Sequence, residues 1–281
     1  MNTRQLIHNP RFVRWGIRID VAPAWWWLAA QMMALWPTWL WTARRMVDGS
    51  DDPLGLLALA ALAGLAWHTR HELRAAPRLG WLSAGALATV AATLCLGLLP
   101  PLAAGLLAVL ALACTLLAFL PCRVARLPVL GLAVLSLPLL SSMQFYLGYP
   151  LRLITAEASR WLLSLGAAAS REGAGLLVNG QRVLVDAPCS GVQMAWLGYF
   201  TACAAALWAA QPDRVILRRL PWVGLLVLGG NVLRNTLLVA LEVSASAPGP
   251  LLHELLGLAF LACTCAAIAW LASRPGPRST P

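Results

Sequence analysis

The chain contains no lysine, and charged residues of any kind are scarce, at 11% of 281 residues. A soluble domain usually carries about 25% charged residues. So few charges cannot cover the surface of a soluble protein of this length, and 60% of the residues are hydrophobic. The composition therefore argues against a soluble globular enzyme and favours a polytopic membrane protein.

The hydrophobic residues fall into runs close to the roughly 20 residues that cross a bilayer as a helix. This pattern predicts an all-α bundle of about eight transmembrane helices. Two prolines, Pro37 and Pro138, fall within predicted spans, which membrane helices tolerate when neighbouring groups satisfy the freed carbonyls. The predicted spans are residues 22–42, 54–68, 79–99, 102–120, 129–147, 191–210, 222–241 and 251–272.

Every basic residue is an arginine, and the formal net charge is +10. The arginines are scattered between the apolar runs, which indicates topology signals and lipid-headgroup anchors rather than a nucleic-acid surface. Most of them lie on one side of the membrane if the N-terminus is inside. The distribution therefore predicts a plasma (inner) membrane protein with both termini in the cytoplasm.

The only long stretch without a predicted span is residues 148–190, on the outer, periplasmic side. Its first part, residues 151–166, has charged and apolar residues at helical spacing, which predicts an amphipathic helix along the interface. Residues 175–188 predict a hairpin, because two aliphatic runs flank Asn179–Gly180, a pair typical of a primed turn.

This outer segment suggests a division of the chain into two regions. Residues 1–147 form an N-terminal five-span membrane region. Residues 148–281 combine the outer segment with the last three spans. This region contains three polar residues whose positions a simple bundle of apolar helices does not account for.

Cys189 is the first of these residues. Most of the seven cysteines lie inside apolar runs, where a free cysteine behaves as a small hydrophobe. Cys189 instead stands in "APCSG" (187–191), at the start of the predicted sixth span. A helix N-terminus stabilises a thiolate through its partial positive charge and free N–H groups. Cys189 is thus a candidate nucleophile, with a buried inert cysteine as the open alternative.

Arg234 is the second, because it lies within the predicted seventh span. An arginine at bilayer depth costs about 2.5–3.5 kcal/mol on insertion scales, and such a residue usually faces a polar cavity. Asn231 and Asn235 lie within one turn of it on the same helix. A purely structural counter-charge is the alternative interpretation.

His253 is the third and opens the predicted eighth span beside Glu254. A histidine at a helix start is most often only an interfacial polar residue. The predicted topology, however, puts Cys189, Arg234 and His253 at one depth on the outer side. Cysteine and histidine are the minimal pair for acyl transfer, and arginine can stabilise the developing oxyanion. The trio predicts cleavage or transfer of a peptide bond near the outer surface.

Three short motifs also resemble those of a known family. "APCSG" (187–191), "NVLR" (231–234) and "HELLG" (253–257) resemble the Cys, Asn-x-x-Arg and His-x-x-x-Gly motifs of the exosortase/archaeosortase family, and "YPLR" (149–152) is similar to that family as well. The resemblance covers about residues 145–272, with the motifs in order.

The resemblance implies a multi-pass cysteine transpeptidase that cleaves the C-terminal sorting signal of exported proteins. That signal is a short motif such as Pro-Glu-Pro, then a transmembrane helix, then a basic tail. Carried over by motif, Cys189 is the nucleophile that forms a thioester, Arg234 the oxyanion-stabilising cation and His253 the acid/base. The implied partners are such exported proteins and membrane lipids, with no nucleic acid, and no metal or organic cofactor is implied.

Two other functions stay open at this point. One is a transporter or polysaccharide-export subunit in which Arg234 is a substrate-binding charge; that function has no need of Cys189. The other is an intramembrane protease without a transfer step, in which water alone completes the reaction.

Overall fold

The structure is a computed structural model that describes residues 23–47, 49, 52–184, 191–244 and 249–275. Helices predominate, with one small sheet. The chain forms two compact units, an N-terminal unit that ends at Pro138 and a C-terminal unit that begins at Leu139. The predicted division of function at residue 147 is not tested by this packing and stays a prediction.

The described part of the N-terminal unit is helical. Leu35, between the first two helices, packs with Ala92, Ala108 and Ala111 in a core of small side chains that lets the backbones approach closely. The helices are α1 (Ala24–Ala34), α2 (Trp36–Val47), α3 (Gly55–His68), α4 (Leu79–Leu94), α5 (Pro101–Phe119) and α6 (Arg126–Leu135).

The C-terminal unit combines four helices with the sheet. Its last three helices pack together around Met194, Val227 and Ile268. Gly198 permits this contact, since a Cβ added there would lie only 2.5 Å from Cγ2 of Val227. The elements are α7 (Leu140–Leu163), β1 (Ala169–Glu172), β2 (Gly175–Val178), β3 (Gln181–Leu184), α8 (Val192–Trp208), α9 (Asp213–Val243) and α10 (Pro250–Ser273).

The architecture fits a polytopic membrane protein, but the prediction of about eight spans is not confirmed. Within the described residues, α5, α9 and α10 are long and apolar enough to cross a membrane, and α6 with α7 make a fourth span if counted together. The other apolar helices are short: α3 has 14 residues and α4 has 16. At 1.5 Å per residue they reach about 21 and 24 Å, less than the roughly 30 Å hydrocarbon core.

Two predicted spans are interrupted at prolines. The first predicted span consists of two helices, α1 and α2. Pro37 is the second residue of α2, where its missing N–H costs no helical hydrogen bond. The predicted span over residues 129–147 is not one helix, since α6 ends at Leu135 and α7 begins at Leu140. Proline removes a donor and disfavours the helical conformation of the residue before it.

The predicted hairpin is confirmed over residues 175–184, and residues 185–188 of the prediction lie outside the described residues. Strands β2 and β3 pair antiparallel with Val178 opposite Gln181. The two turn residues have positive φ angles, 50° at Asn179 and 83° at Gly180, as a type I′ turn requires. Strand β1 was not predicted; it pairs antiparallel with β2 and completes a three-stranded sheet.

This sheet is fixed to two helices of its unit. Leu176 and Val183 of the sheet pack with Ala156 of α7 and Val239 of α9. On the surface, Nε of Arg171 in β1 lies 2.8 Å from Oε2 of Glu157 in α7. The predicted interfacial helix over residues 151–166 corresponds to the second half of α7, which ends at Leu163. The sheet packs against this part of α7 and against α9.

Candidate functional site

A cavity of about 370 Å³ lies among α8, α9 and α10. Leucine and methionine side chains form much of its wall. Its polar lining consists of Gln193 from α8, Arg234 from α9 and Glu254 from α10. Two glycines, Gly191 and Gly257, complete the lining and bring backbone to the surface of the cavity.

Arg234 lies half-buried on α9, with its guanidinium against the backbone of α10. A Cβ added at Gly257 would lie 3.2 Å from Nη2 and 3.3 Å from Nε of Arg234. The Nε group is buried and has no hydrogen-bond partner within the described residues. No carboxylate in that part of the chain forms an ion pair with Arg234. The cavity therefore contains a cation, one donor of which has no partner among the residues that the structure describes.

The N-terminus of α8 reaches the same cavity through Gly191. This glycine is the N-cap of α8 and has a φ of 82°, in the left-handed region that favours glycine. A helix N-terminus has N–H groups without helical partners and a partial positive charge. The cavity thus combines a guanidinium with a helix N-terminus, and both favour an anionic group.

Asn231 links this helix start to α7. It is 1% exposed, and its Nδ2 donates to Oγ1 of Thr155 at 3.1 Å. Nδ2 of Asn235 in turn donates to the backbone oxygen of Asn231 at 2.9 Å. Asn231 and Arg234 therefore contact different neighbours: Asn231 faces α7 and Gly191, whereas Arg234 faces Gly257.

The structure places two of the three predicted site residues in this region. Arg234 lines the cavity. His253 is exposed in the first turn of α10, one turn before Gly257, and it is the adjacent Glu254 that lines the cavity. Cys189 lies outside the described residues. The roles assigned to all three therefore stay predictions.

The family model described as transmembrane exosortase (Exosortase_EpsH) matches residues 36–270. The chain belongs to the transmembrane exosortase family. Membership indicates a membrane-embedded peptidase or transpeptidase that acts on sorting signals. The match starts at α2. The similarity to the family therefore begins well before residue 145, the start of the region in which the motifs resemble it. Neither a curated protein nor a solved structure matches this exosortase.

Gly257 and Thr155 of the exosortase site were not singled out from the sequence, whereas Gly191 was expected to allow close approach of another backbone. Gly257 was visible only as the last letter of a motif, yet it is where Arg234 meets α10. Gly191 sets the conformation at the start of α8. Thr155 had a fainter signal, a polar residue four positions before Ser159 in an otherwise amphipathic helix, which puts both hydroxyls on one face.

The contact between Gly257 and Arg234 gives a testable prediction. We expect Gly257→Ala to lower the rate of substrate processing about tenfold, because the added methyl group displaces the guanidinium by a few tenths of an ångström. Protein amount should not fall, because alanine is favoured over glycine in a helix by about 1 kcal/mol. The measurement is the initial rate of reporter cleavage per amount of exosortase in membranes.

Gly229→Ala is the matched control, because Gly229 lies on α9 with nothing within 4 Å of an added Cβ. It should leave the rate unchanged. Equal rates for both variants would contradict the proposed dependence of activity on the position of Arg234.

Proposed function

We propose that this exosortase is a cysteine transpeptidase that cleaves the C-terminal sorting signal of exported proteins. The main observation in support is the cavity, because Arg234 and Gly191, at the start of α8, both line it. Cys189 precedes Gly191 by two residues, and two residues of chain span about 7 Å at most. This reach supports Cys189 as the nucleophile at a cavity that already holds a cation.

The proposed reaction proceeds through a thioester. The Cys189 thiolate attacks the carbonyl carbon of the scissile peptide, and the carbonyl electron pair moves to oxygen, where the Arg234 guanidinium stabilises the negative charge. When this intermediate collapses, the C–N bond breaks and the leaving amine takes a proton from His253. An acceptor amine, or water, then attacks the thioester while His253 removes its proton, and the thiolate leaves.

The proposed substrates carry a motif such as Pro-Glu-Pro, a transmembrane helix and a basic tail. We place both termini of the exosortase in the cytoplasm of a plasma (inner) membrane protein and the cavity on the outer side. The arginine distribution supports this orientation, because arginine-rich loops favour the cytoplasmic side. An outer cavity meets the substrate after most of it has crossed the membrane.

One observation also fits a transporter or polysaccharide-export subunit. A cavity cation whose buried Nε has no partner in the described part of the chain is a suitable site for an anionic solute. Family membership favours the peptidase, and the two functions differ in whether a covalent intermediate forms. A protease without transfer differs from both in that water alone resolves the thioester.

Hydroxylamine tests the thioester and the role of His253 together. With purified exosortase and a reporter that bears the sorting signal, hydroxylamine should release the N-terminal fragment as a hydroxamate, identified by its mass. We expect His253→Ala to slow this release by about 10²–10⁴, the usual contribution of a general acid/base. The bundle should remain folded, because His253 is exposed in the first turn of α10.

His71→Ala is the control, because His71 is an exposed histidine of the N-terminal unit. It should release hydroxamate at the wild-type rate. A wild-type rate in His253→Ala would remove the acid/base assignment, and the absence of hydroxamate from wild-type enzyme that processes the reporter would remove the thioester.

A further inference from the structure

We propose that Thr155 is a positioning residue for the nucleophile: it holds the Asn231 amide against Gly191 and so sets where the segment that carries Cys189 joins α8. This inference rests on the proposed function, because it assigns Thr155 a role in the chemistry of Cys189. Thr155 lies on α7, outside the three helices that enclose the cavity.

The first link is the hydrogen bond between Asn231 and Thr155. Thr155 is 0% exposed and Asn231 is 1% exposed, so neither side chain can exchange this bond for one to solvent. Nδ2 of Asn231 lies 3.1 Å from Oγ1 of Thr155. A buried amide that loses an acceptor must turn or remain under-satisfied, so the Thr155 hydroxyl is one of the groups that set the orientation of the amide.

The second link is the contact between Asn231 and Gly191. A Cβ added at Gly191 would lie 2.8 Å from Nδ2 and 2.9 Å from Cγ of Asn231. The amide plane therefore rests directly on the backbone of the residue that caps α8. A displacement of the amide moves this backbone, or leaves it unsupported in its left-handed conformation.

The third observation separates this role from ordinary packing. Ser159 lies one turn further along α7 and is also 0% exposed. Its Oγ donates to the backbone oxygen of Val232 at 3.4 Å, so this bond joins α7 to the backbone of α9. Both hydroxyls are buried and form hydrogen bonds between α7 and α9, but the bond of Thr155 is to the Asn231 side chain, which lies against Gly191.

The test compares these two hydroxyls. Thr155→Val keeps the shape and removes the hydroxyl, Thr155→Ser keeps the hydroxyl, and Ser159→Ala is the matched control. For each variant we measure kcat and KM with the reporter, and the rate at which iodoacetamide alkylates Cys189, followed by mass spectrometry of its peptide. The alkylation rate reports on the thiol without any substrate.

We expect Thr155→Val to lower kcat by about 10- to 100-fold, because a misplacement of about 1 Å can cost 10²-fold, while KM changes less than about twofold. Its Cys189 alkylation rate should differ from wild type. Thr155→Ser should restore both values, and Ser159→Ala should match wild type. If Thr155→Val does not accumulate, Thr155→Ala makes the same comparison at lower growth temperature, again against Thr155→Ser.

If Cys189→Ala is inactive in the same assay, the proposed function stands, and two outcomes then overturn this inference by itself. One is a wild-type kcat and alkylation rate in Thr155→Val. The other is an equal loss of kcat in Ser159→Ala, which identifies a general packing effect. Full processing by Cys189→Ala overturns the proposed function and this inference with it.

Discussion

Cys189→Ala is expected to abolish processing of a sorting-signal reporter while the exosortase is still made and inserted. Alanine replaces a side chain of similar size, so the bundle should be little affected, but no nucleophile remains for the thioester. Cys189→Ser should also be nearly inactive, because an unactivated hydroxyl is a far weaker nucleophile than a thiolate. The measurement is the ratio of mature to precursor reporter in membranes, normalised to the amount of exosortase.

The control for this prediction is Cys263→Ala, because Cys263 is an exposed cysteine on α10. It should process the reporter at the wild-type rate. Full processing by Cys189→Ala would rule out the nucleophile assignment and leave the cavity with a binding role only.

The second large effect is expected at Arg234. Arg234→Lys keeps the charge but loses the planar set of donors. We expect it to lower kcat by about 10²–10³, the loss typical of one missing oxyanion donor. The buried Nε without a partner in the described part of the chain supports this role, since no other group there competes for it. Single-turnover cleavage of the reporter measures the effect on chemistry directly.

Arg219→Lys provides the matched control on the same helix. Arg219 donates from Nη1 to the backbone oxygen of Ala272 at 3.0 Å and from Nη2 to that of Arg274 at 2.8 Å, so its guanidinium has a structural role. Its replacement should affect thermal stability more than rate. A wild-type rate in Arg234→Lys, with only a lower protein amount in Arg234→Ala, would identify a structural counter-charge and favour the transporter.

Local sequence signals predicted part of this fold correctly. Asparagine and glycine accept positive φ angles, so the pair Asn179–Gly180 predicts a tight turn from its own residues. The hairpin could therefore be predicted without knowledge of any distant contact. The span count is not confirmed, because hydropathy measures apolar length and not helix continuity. Near Pro138, the chain stays apolar while the helix breaks, and α3 is apolar throughout but has only 14 residues.

The site divides in the same way. Arg234 was predicted to face a polar cavity because a charge in an apolar run needs a local reason, and it lines a cavity whose wall is largely apolar. Gly257 and Thr155 have only faint signals, because their importance depends on contacts with side chains of another helix. Such contacts depend on tertiary packing, and the contacts between particular residues cannot be read from one sequence alone.

The sheet has a kinetic consequence for the segment between β3 and α8. Residues 185–190 connect Leu184, paired with Gly175 in the sheet, to Gly191, held against Asn231. A connection of six residues between two fixed ends is a short tether, and the entropy lost on closing it is small. Under the proposed function, Cys189 on this connection would meet the cavity at a high effective concentration, as the second site of a bivalent ligand does. The sheet would then have a kinetic role, because it would raise the frequency with which the nucleophile and the cavity meet.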